Sequence, residues 1–149
     1  IHNILYELKD LNILNLNTLL VTTINNFIKL YSTPQKELSI TYHGEDTNID
    51  ADIFVHIGML INELITNSCK HNIVSGTSIN VNIQLKKTGL NSLQITYADN
   101  SGGYNLQKFK NPNTMGLLII KNIVQNQLKG EINVENTFGG CTYTIIFNY

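Results

Sequence analysis

The sequence contains no arginine and no tryptophan, and charged residues make up only 14% of its 149 residues. All ten basic residues counted as lysine or arginine are therefore lysines, and the formal net charge is -1. Nucleic acid binding needs a field of positive charge along the phosphate backbone, so that class of function is disfavoured. Because no guanidinium group is present, a bound phosphate must be held by lysine, histidine, asparagine, backbone N–H groups or a metal ion.

Cysteines and long apolar runs are also scarce. Cys69 and Cys141 lie far apart without partners at metal-ligand spacing, so we expect two free thiols rather than a disulfide. The longest apolar runs, such as residues 59–61 and 117–120, are too short to span a bilayer. Hydrophobic residues make up 42% of the chain, which is enough for the core of one domain and excludes a disordered or fibrous protein.

Hydrophobic spacing predicts a mixture of helices and strands. Apolar residues at helical spacing predict four helices. The first covers residues 1–14, as the end of a helix entering from upstream, and the second runs from an N-cap at Asn17 to before Pro34. The third runs from Ile53 to His71, and the fourth from Gly116 to Lys129 with Gly130 as its C′ residue. Alternation predicts strands near residues 38–42, 79–85, 93–97, 131–135 and 142–147. This order implies an α+β two-layer sandwich, with helices on one face of a mixed, mostly antiparallel sheet.

The long helix carries one buried and one polar face. Its predicted buried positions are Ile57, Leu60, Ile61, Leu64, Ile65 and Ser68. Glu63, Asn67, Lys70 and His71 are spaced i, i+4, i+7 and i+8, which places them in one polar stripe. A carboxylate, an amide oxygen, an ammonium group and an imidazole in one row can hold hydrated Mg²⁺ and phosphate oxygens. An ordinary solvated helix edge has the same spacing, so both interpretations stay open.

A predicted strand ends in Asp99, and residues 99–103 read Asp-Asn-Ser-Gly-Gly. An ionised carboxylate at this point can accept a hydrogen bond from an exocyclic amine, and such charge-assisted bonds are worth roughly 1.5–3 kcal/mol. The following glycine pair allows the backbone to pass close to a ligand. The same five residues are also common in a plain turn.

A glycine, Gly116, opens the last predicted helix. Unpaired N–H groups and the positive end of a helix dipole can face an anion there. A single glycine at a helix start is weak evidence by itself.

Taken in order, these stretches resemble the GHKL (Bergerat-fold) ATPases, and in particular the ATP-binding domain of sensor histidine kinases. Residues 63–71 resemble the N box, 99–103 the G1 box, 116–121 the G2 glycine with its helix, and 138–145 the closing Gly-Thr-x-Phe segment. The resemblance implies a histidine-kinase-type ATP-binding domain over residues 15–149. Residues 1–14 would be the end of an upstream dimerisation or linker helix. The phosphoacceptor histidine would lie upstream as well, so His2 is not assigned that role.

The resemblance implies roles for the matching residues. Asp99 would bind the adenine amine, and Gly103 would let the base approach. Asn67 would ligate Mg²⁺. Glu63 stands where GHKL ATPases keep their general base and is the catalytic candidate. The other residues expected to contact ATP are Lys70, His71, Lys108, Lys110, Gly116, Leu117 and Thr142.

Four positions depart from the family pattern. Ser101 replaces the first glycine of the G1 box. Met115 and Leu118 stand where longer G2 boxes have further glycines. Cys141 stands where threonine is common, so Thr142 is the candidate for that polar contact with the base.

We therefore expect ATP and Mg²⁺ as ligands, and transfer of the γ-phosphoryl group to a histidine outside this chain. Expected partners are the phosphoacceptor helices of the same protein, a response regulator that receives the phosphoryl group, and a second copy bound through those helices. Neither nucleic acid nor direct membrane contact is expected, and the expected location is the cytoplasm, with membrane anchoring of the whole protein left open.

Two alternatives stay open. One is a stand-alone GHKL protein, either an anti-sigma serine kinase or an ATPase module, which the helix predicted at Ile1 disfavours. The other is a degenerate pseudokinase that acts as a binding module. Ser101, Cys141 and the absence of arginine favour that alternative.

Overall fold

The computed structural model describes residues 13–34, 36–71, 78–100, 115–137 and 139–149. Its helices are α1 (Leu16–Tyr31), α2 (Ala51–His71) and α3 (Met115–Asn122), and a π-helical turn (Ile123–Gln127) continues α3. Its strands are β1 (Leu14–Asn15), β2 (Leu38–Gly44), β3 (Asn48–Ile49), β4 (Ile79–Gly89), β5 (Ser92–Asp99), β6 (Glu131–Thr137) and β7 (Gly140–Asn148). Across these segments, no helix is both long and apolar enough to cross a bilayer.

The main sheet has five strands in the order β2-β4-β5-β7-β6. Strand β2 runs parallel to β4, and the other three pairings are antiparallel. The predicted α+β class and the mixed, mostly antiparallel sheet are therefore confirmed. Strands β1 and β3 form a separate two-stranded sheet that the sequence pattern did not predict. The placement of the helices on one face of the main sheet stays a prediction, as does the helix expected within residues 1–12, which lie outside the described residues.

The core forms where α2 covers alternating residues of the sheet. All six predicted buried positions of α2 are confirmed, with exposed fractions of 2% or less. The strands contribute their alternating apolar residues, among them Ile83 of β4, Ile95 of β5 and Ile145 of β7. Each fully buried apolar side chain of this size contributes roughly 1.5–3 kcal/mol. This packing places α2 beside the sheet, and the candidate site depends on the hydrogen bonds from Ser68 of α2 to Tyr97 and Asp99 of β5.

The start of α1 differs from the prediction. Asn15, not Asn17, is the N-cap, and its Oδ1 accepts a hydrogen bond from the backbone N–H of Thr18 at 3.0 Å. Asn17 instead accepts a hydrogen bond from the hydroxyl of Tyr42 at 2.5 Å and donates one to the carbonyl of Gly44 at 3.0 Å. The helix begins earlier because its first residue, Leu16, is fully buried in the core.

The end of the last helix also differs from the prediction. Regular α-helix stops at Asn122, and the π-helical turn follows, closed by a bond from the N–H of Leu128 to the carbonyl of Ile123 at 2.8 Å. Lys129, not Gly130, has the positive φ, at 53°. Gly130 has a different role, since a Cβ there would lie 2.3 Å from the carbonyl oxygen of Ile146. The glycine therefore lets the chain pass close to β7.

Candidate functional site

Helix α2 presents the polar residues that the sequence singled out. Glu63 is half-buried, Asn67 is only 9% exposed, and Lys70 is exposed near the end of the helix. His71 is the last residue of α2, and its side chain lies outside the described part of the structure. Asn67 is therefore a buried amide rather than part of a solvated helix edge, and this favours a specific role for it.

The start of α3 lies directly against two oxygen atoms of α2. A Cβ built at Gly116 would lie 3.2 Å from Oδ1 of Asn67 and 3.3 Å from Oε2 of Glu63, which is tighter than ordinary contact. Both oxygens therefore approach one point beside the first turn of α3. A side chain at position 116 would crowd that point, so glycine keeps the two oxygens accessible to a third group.

The amide nitrogen of Asn67 has an unusual environment. Its Nδ2 atom is buried, and among the described residues it has no hydrogen-bond partner. A buried polar group left unpaired costs about 1–3 kcal/mol, and such exceptions in folded proteins often mark a ligand site. Asn67 is thus suited to bind a group that supplies an acceptor to Nδ2 while its Oδ1 faces the start of α3.

Asp99, at the end of β5, is bonded to α2 through Ser68. The hydroxyl of Ser68 donates to Oδ2 of Asp99 at 2.5 Å and lies 2.7 Å from the hydroxyl of Tyr97. Burial raises the pKa of Tyr97 well above its ordinary value of 10, so this phenol remains protonated in neutral solution. The three side chains form one chain of hydrogen bonds in the core, below the point where β5 ends.

The backbone at Asp99 is fixed by its neighbours. Asn100 accepts a bond on Oδ1 from the N–H of Asn80 at 2.8 Å and donates from Nδ2 to the carbonyl of Ser78 at 2.9 Å. On the other side, a Cβ at Gly140 would lie 1.7 Å from the carbonyl oxygen of Asp99. Glycine is therefore required at position 140 for β7 to pair with β5 at this level.

Cys141, and not Thr142, stands beside Asp99. In the β5–β7 register, Cys141 pairs with Asp99 and Thr142 pairs with Ala98. Because side chains alternate along a strand, Thr142 is on the opposite face of the sheet from Asp99. The structure thus does not bring Thr142 to the face of the sheet that carries Asp99, and its expected contact with the base stays a prediction. Burial, together with the charge of Asp99, raises the pKa of Cys141 to about 12, so the buried thiol stays neutral.

The remaining predicted site residues fall into two groups. Leu117 is buried in the core at 3% exposure, which leaves its backbone N–H, in the first turn of α3, as the group a ligand can meet. Gly103, Lys108 and Lys110 lie outside the described residues, and their expected contacts stay predictions. Both cysteines are free thiols, as expected.

Sequence reasoning missed four residues that build this site. Ser68 was expected only as a buried position, and Tyr97, Asn100 and Gly140 were given no role. One signal was available in the sequence: a serine on an otherwise apolar helix face needs a buried partner. That partner could not be named, because the contact between α2 and β5 joins residues distant in sequence.

Comparison with families of known proteins gives a match over residues 52–149 to the family described as histidine kinase-, DNA gyrase B-, and HSP90-like ATPase. The matched region covers more than half of the chain and contains α2, β5, α3 and β7. A comparison with curated proteins found no match.

Several solved structures of histidine kinases share this fold. The kinase domain of the blue-light activated histidine kinase from Erythrobacter litoralis EL346 superposes with a TM-score of 0.79 at 19% identity, over 91% of this chain and 61% of that one. The catalytic domain of histidine kinase ThkA gives 0.73 at 17% identity, over 91% and 93% of the two chains. The mycobacterial sensor histidine kinase MprB gives 0.69 at 15% identity, over 91% and 95%.

At these low identities, the superpositions show a shared fold and no more. The chain spans 61% of the length of the Erythrobacter kinase domain. The family itself is shown by the match over residues 52–149, which includes the elements that carry Glu63, Asn67, Asp99 and Gly116. The chain therefore belongs to the family of histidine kinase-, DNA gyrase B- and HSP90-like ATPases.

Proposed function

We propose that this chain is the ATP-binding catalytic domain of a two-component sensor histidine kinase, which transfers the γ-phosphoryl group of ATP to a histidine outside this chain. One observation carries the proposal: adjacent residues of α2 contact both halves of the candidate site. Ser68 holds the Asp99 carboxylate, and the side chain of Asn67 faces Gly116 at the start of α3. A single rigid helix thereby sets the distance between a base-reading group and a phosphate-side group.

Asp99 reads the base in this proposal. An ionised carboxylate accepts hydrogen bonds and cannot donate them. Asp99 therefore pairs with the exocyclic amine of adenine and not with a carbonyl group. Asn100 and Gly140 fix the backbone at Asp99 from both sides. The acceptor is therefore held in place before the nucleotide arrives, which reduces the ordering cost of binding.

Asn67 holds Mg²⁺ in this proposal, and the residues present fit such an ion. The Oδ1 atom of Asn67 and a carboxylate oxygen of Glu63 approach the same point, and Gly116 leaves that point clear. Mg²⁺ at nucleotide sites takes one or two protein oxygens together with phosphate oxygens and water. The described residues contain no cluster of three or more histidine, cysteine, aspartate or glutamate side chains that could hold a metal. When bound, the ion neutralises phosphate charge.

Glu63 lies at the phosphate side of the site. Its carboxylate is half-buried beside Asn67, where it can accept a proton from an incoming nucleophile or orient it. The backbone N–H groups of the first turn of α3, including that of Leu117, have no partner within the helix, and together with the helix dipole they favour an anion. Phosphoryl transfer depends mostly on positioning and charge neutralisation, and these groups supply both. Lys70, His71, Lys108 and Lys110 are the cations proposed to reach phosphate or ribose.

The wider role in signalling belongs to the proposal as well. The acceptor histidine would be carried by dimerisation helices of the same protein, and a response regulator would receive the phosphoryl group. The solved kinase domains of the same fold support this assignment through their fold alone. The proposed location is the cytoplasm, where ATP and a regulator meet.

The experiment that tests the proposal is isothermal titration of the chain with a non-hydrolysable ATP analogue, with and without Mg²⁺. Saturable binding that tightens with Mg²⁺ is the expected result. Titration with the matching guanosine nucleotide is the control, and we expect it to bind at least tenfold more weakly. Absence of binding in a folded sample would reject the ATP-dependent function in favour of a degenerate binding module.

A second function, hydrolysis of ATP by the chain itself, is favoured by the position of Glu63. Its carboxylate beside Asn67 is where a general base would activate water. Release of inorganic phosphate from ATP by the isolated chain, abolished in Glu63→Gln, would support hydrolysis.

A further inference from the structure

Two buried hydroxyl groups behind Asp99 are not explained by packing alone. Ser68 is 2% exposed and Tyr97 is fully buried, yet their oxygens lie 2.7 Å apart and lead to the Asp99 carboxylate. A polar chain of this kind in an apolar core is costly unless every member is paired. The three groups come from α2 and β5, which the core packing holds in fixed positions.

We propose that Ser68 and Tyr97 form a positioning relay that holds the Asp99 carboxylate as an acceptor and thereby sets a preference for 6-amino over 6-oxo purines. The inference rests on the proposed binding of ATP, since it assigns a further role within the same site. Neither residue touches the nucleotide. Both act through Asp99 and are positioning residues.

The direction of the hydrogen bonds in the relay follows from chemistry. An ionised carboxylate has no hydrogen, so the one hydrogen of the Ser68 hydroxyl points to Oδ2 of Asp99. The oxygen of Ser68 then accepts the hydrogen of Tyr97, whose raised pKa keeps it protonated. Every hydrogen in the relay thus points toward Asp99, and Ser68 has none left to offer to another group.

The ring of Tyr97 makes the relay rigid. It packs edge-on against Tyr143, with ring centroids 5.9 Å apart and an interplanar angle of 70°. A fully buried phenol in such a contact does not turn its hydroxyl away without disturbing the core. Ser68 is therefore held as a donor toward Asp99.

Base preference follows from this fixed polarity. The 6-amino group of adenine donates to Asp99, whereas the 6-oxo group of hypoxanthine or guanine places an acceptor against an acceptor. If the relay is broken, the carboxylate loses a charge-assisted bond and its fixed orientation. Binding of ATP should then weaken, while binding of ITP, which makes no amine bond to Asp99, should change little. The preference for ATP over ITP should shrink.

The test uses the variants Ser68→Ala, Tyr97→Phe and their combination. Dissociation constants for a non-hydrolysable ATP analogue and for the matching inosine nucleotide are measured by titration, and unfolding free energies by urea denaturation. Ser68→Ala should weaken the ATP analogue about tenfold or more and reduce the ATP-to-ITP preference by a similar factor. Tyr97→Phe should weaken it about threefold.

The double variant separates positioning from stability. Ser68→Ala leaves the Tyr97 hydroxyl buried and unpaired, which destabilises the fold, and adding Tyr97→Phe removes that unpaired group. We expect the unfolding free energy of the double variant to recover relative to Ser68→Ala, while its affinity for the ATP analogue stays low. If Ser68 and Tyr97 had only a structural role, the double variant would recover both its unfolding free energy and its affinity for the ATP analogue. That result would overturn the inference.

A matched control is available on the same helix. Thr66 of α2 also pairs with a tyrosine hydroxyl, that of Tyr31 at 3.4 Å, but has no bond to Asp99. Thr66→Val should leave the ATP-to-ITP preference unchanged. The variant Asp99→Asn separates failure of the relay from failure of the proposed ATP binding. If it abolishes ATP preference while Ser68→Ala does not alter it, the relay is rejected and the proposed function stands. If the wild-type chain binds no ATP analogue, both are rejected.

Discussion

Replacing Gly140 with alanine should damage the fold and the candidate site together. The added Cβ would lie 1.7 Å from the carbonyl oxygen of Asp99 and 2.8 Å from its carbonyl carbon, and real Cβ atoms essentially never approach closer than 3.0 Å. The two strands must therefore separate by more than about 1 Å at this level. The neighbouring pair between Cys141 and Asp99 cannot then keep its register geometry.

The expected cost combines overpacking with lost backbone pairing. Overpacking a well-packed site costs about 1–3 kcal/mol, and each lost backbone hydrogen bond adds about 1 kcal/mol. We expect Gly140→Ala to lower the unfolding free energy by about 2–4 kcal/mol. Because Asp99 moves with its backbone, affinity for an ATP analogue should fall by about tenfold or more.

The assay is urea denaturation followed by circular dichroism, together with titration of the ATP analogue. Gly58→Ala is the matched control, since Gly58 lies within α2 and a Cβ there meets nothing within 4 Å. That variant should be more stable than the wild type by about 0.5–1 kcal/mol, because alanine favours helix more than glycine does. A Gly140→Ala protein with wild-type stability and affinity would refute the argument that close approach at Asp99 requires glycine.

Four further predictions concern the site and the wider function. Asp99→Asn should weaken binding of the ATP analogue at least tenfold in titration while the fold survives, since an amide can present N–H₂ to the adenine amine. An unchanged affinity would remove Asp99 from the site. Asn67→Ala should abolish the Mg²⁺ dependence of nucleotide binding and leave adenosine binding nearly intact; equal enhancement by Mg²⁺ in both proteins would contradict this. The chain alone should not become labelled with γ-labelled ATP, because donor and acceptor must be held together, and adding the proposed phosphoacceptor helices should allow labelling. Acid-labile label on the chain alone would argue against the assignment. Cys141 has its pKa raised from 9.0 to about 12, so its stabilising contribution is complete below pH 9 and is lost as pH rises toward 12. The unfolding free energy of the wild type should therefore fall more steeply above pH 9 than that of Cys141→Ala, and equal slopes in urea denaturation would count against a buried neutral thiol.

The sequence by itself determined the elements and the family. The apolar spacing along α2 identified its five buried apolar residues and the buried Ser68, because helical periodicity is a local property. Alternation identified the five strands of the main sheet for the same reason, but not β1 and β3. The order of Glu63 to His71, Asp99 to Gly103 and Gly116 carried the resemblance to GHKL ATPases, which the family match over residues 52–149 confirms.

Only the tertiary structure decided which residues meet. The parallel pairing of β2 with β4, the cap at Asn15 and the π-helical turn after Asn122 depend on how elements pack, and local periodicity does not encode packing. The contact of Gly140 with Asp99 and the bond from Ser68 to Asp99 join residues 41 and 31 positions apart. Such contacts form because the buried faces of α2 and the sheet hold those positions side by side. The hydrophobic effect is non-directional, so an apolar pattern shows that a residue is buried but not which residue it meets. The chemistry of the candidate site therefore lies in contacts that the core packing creates.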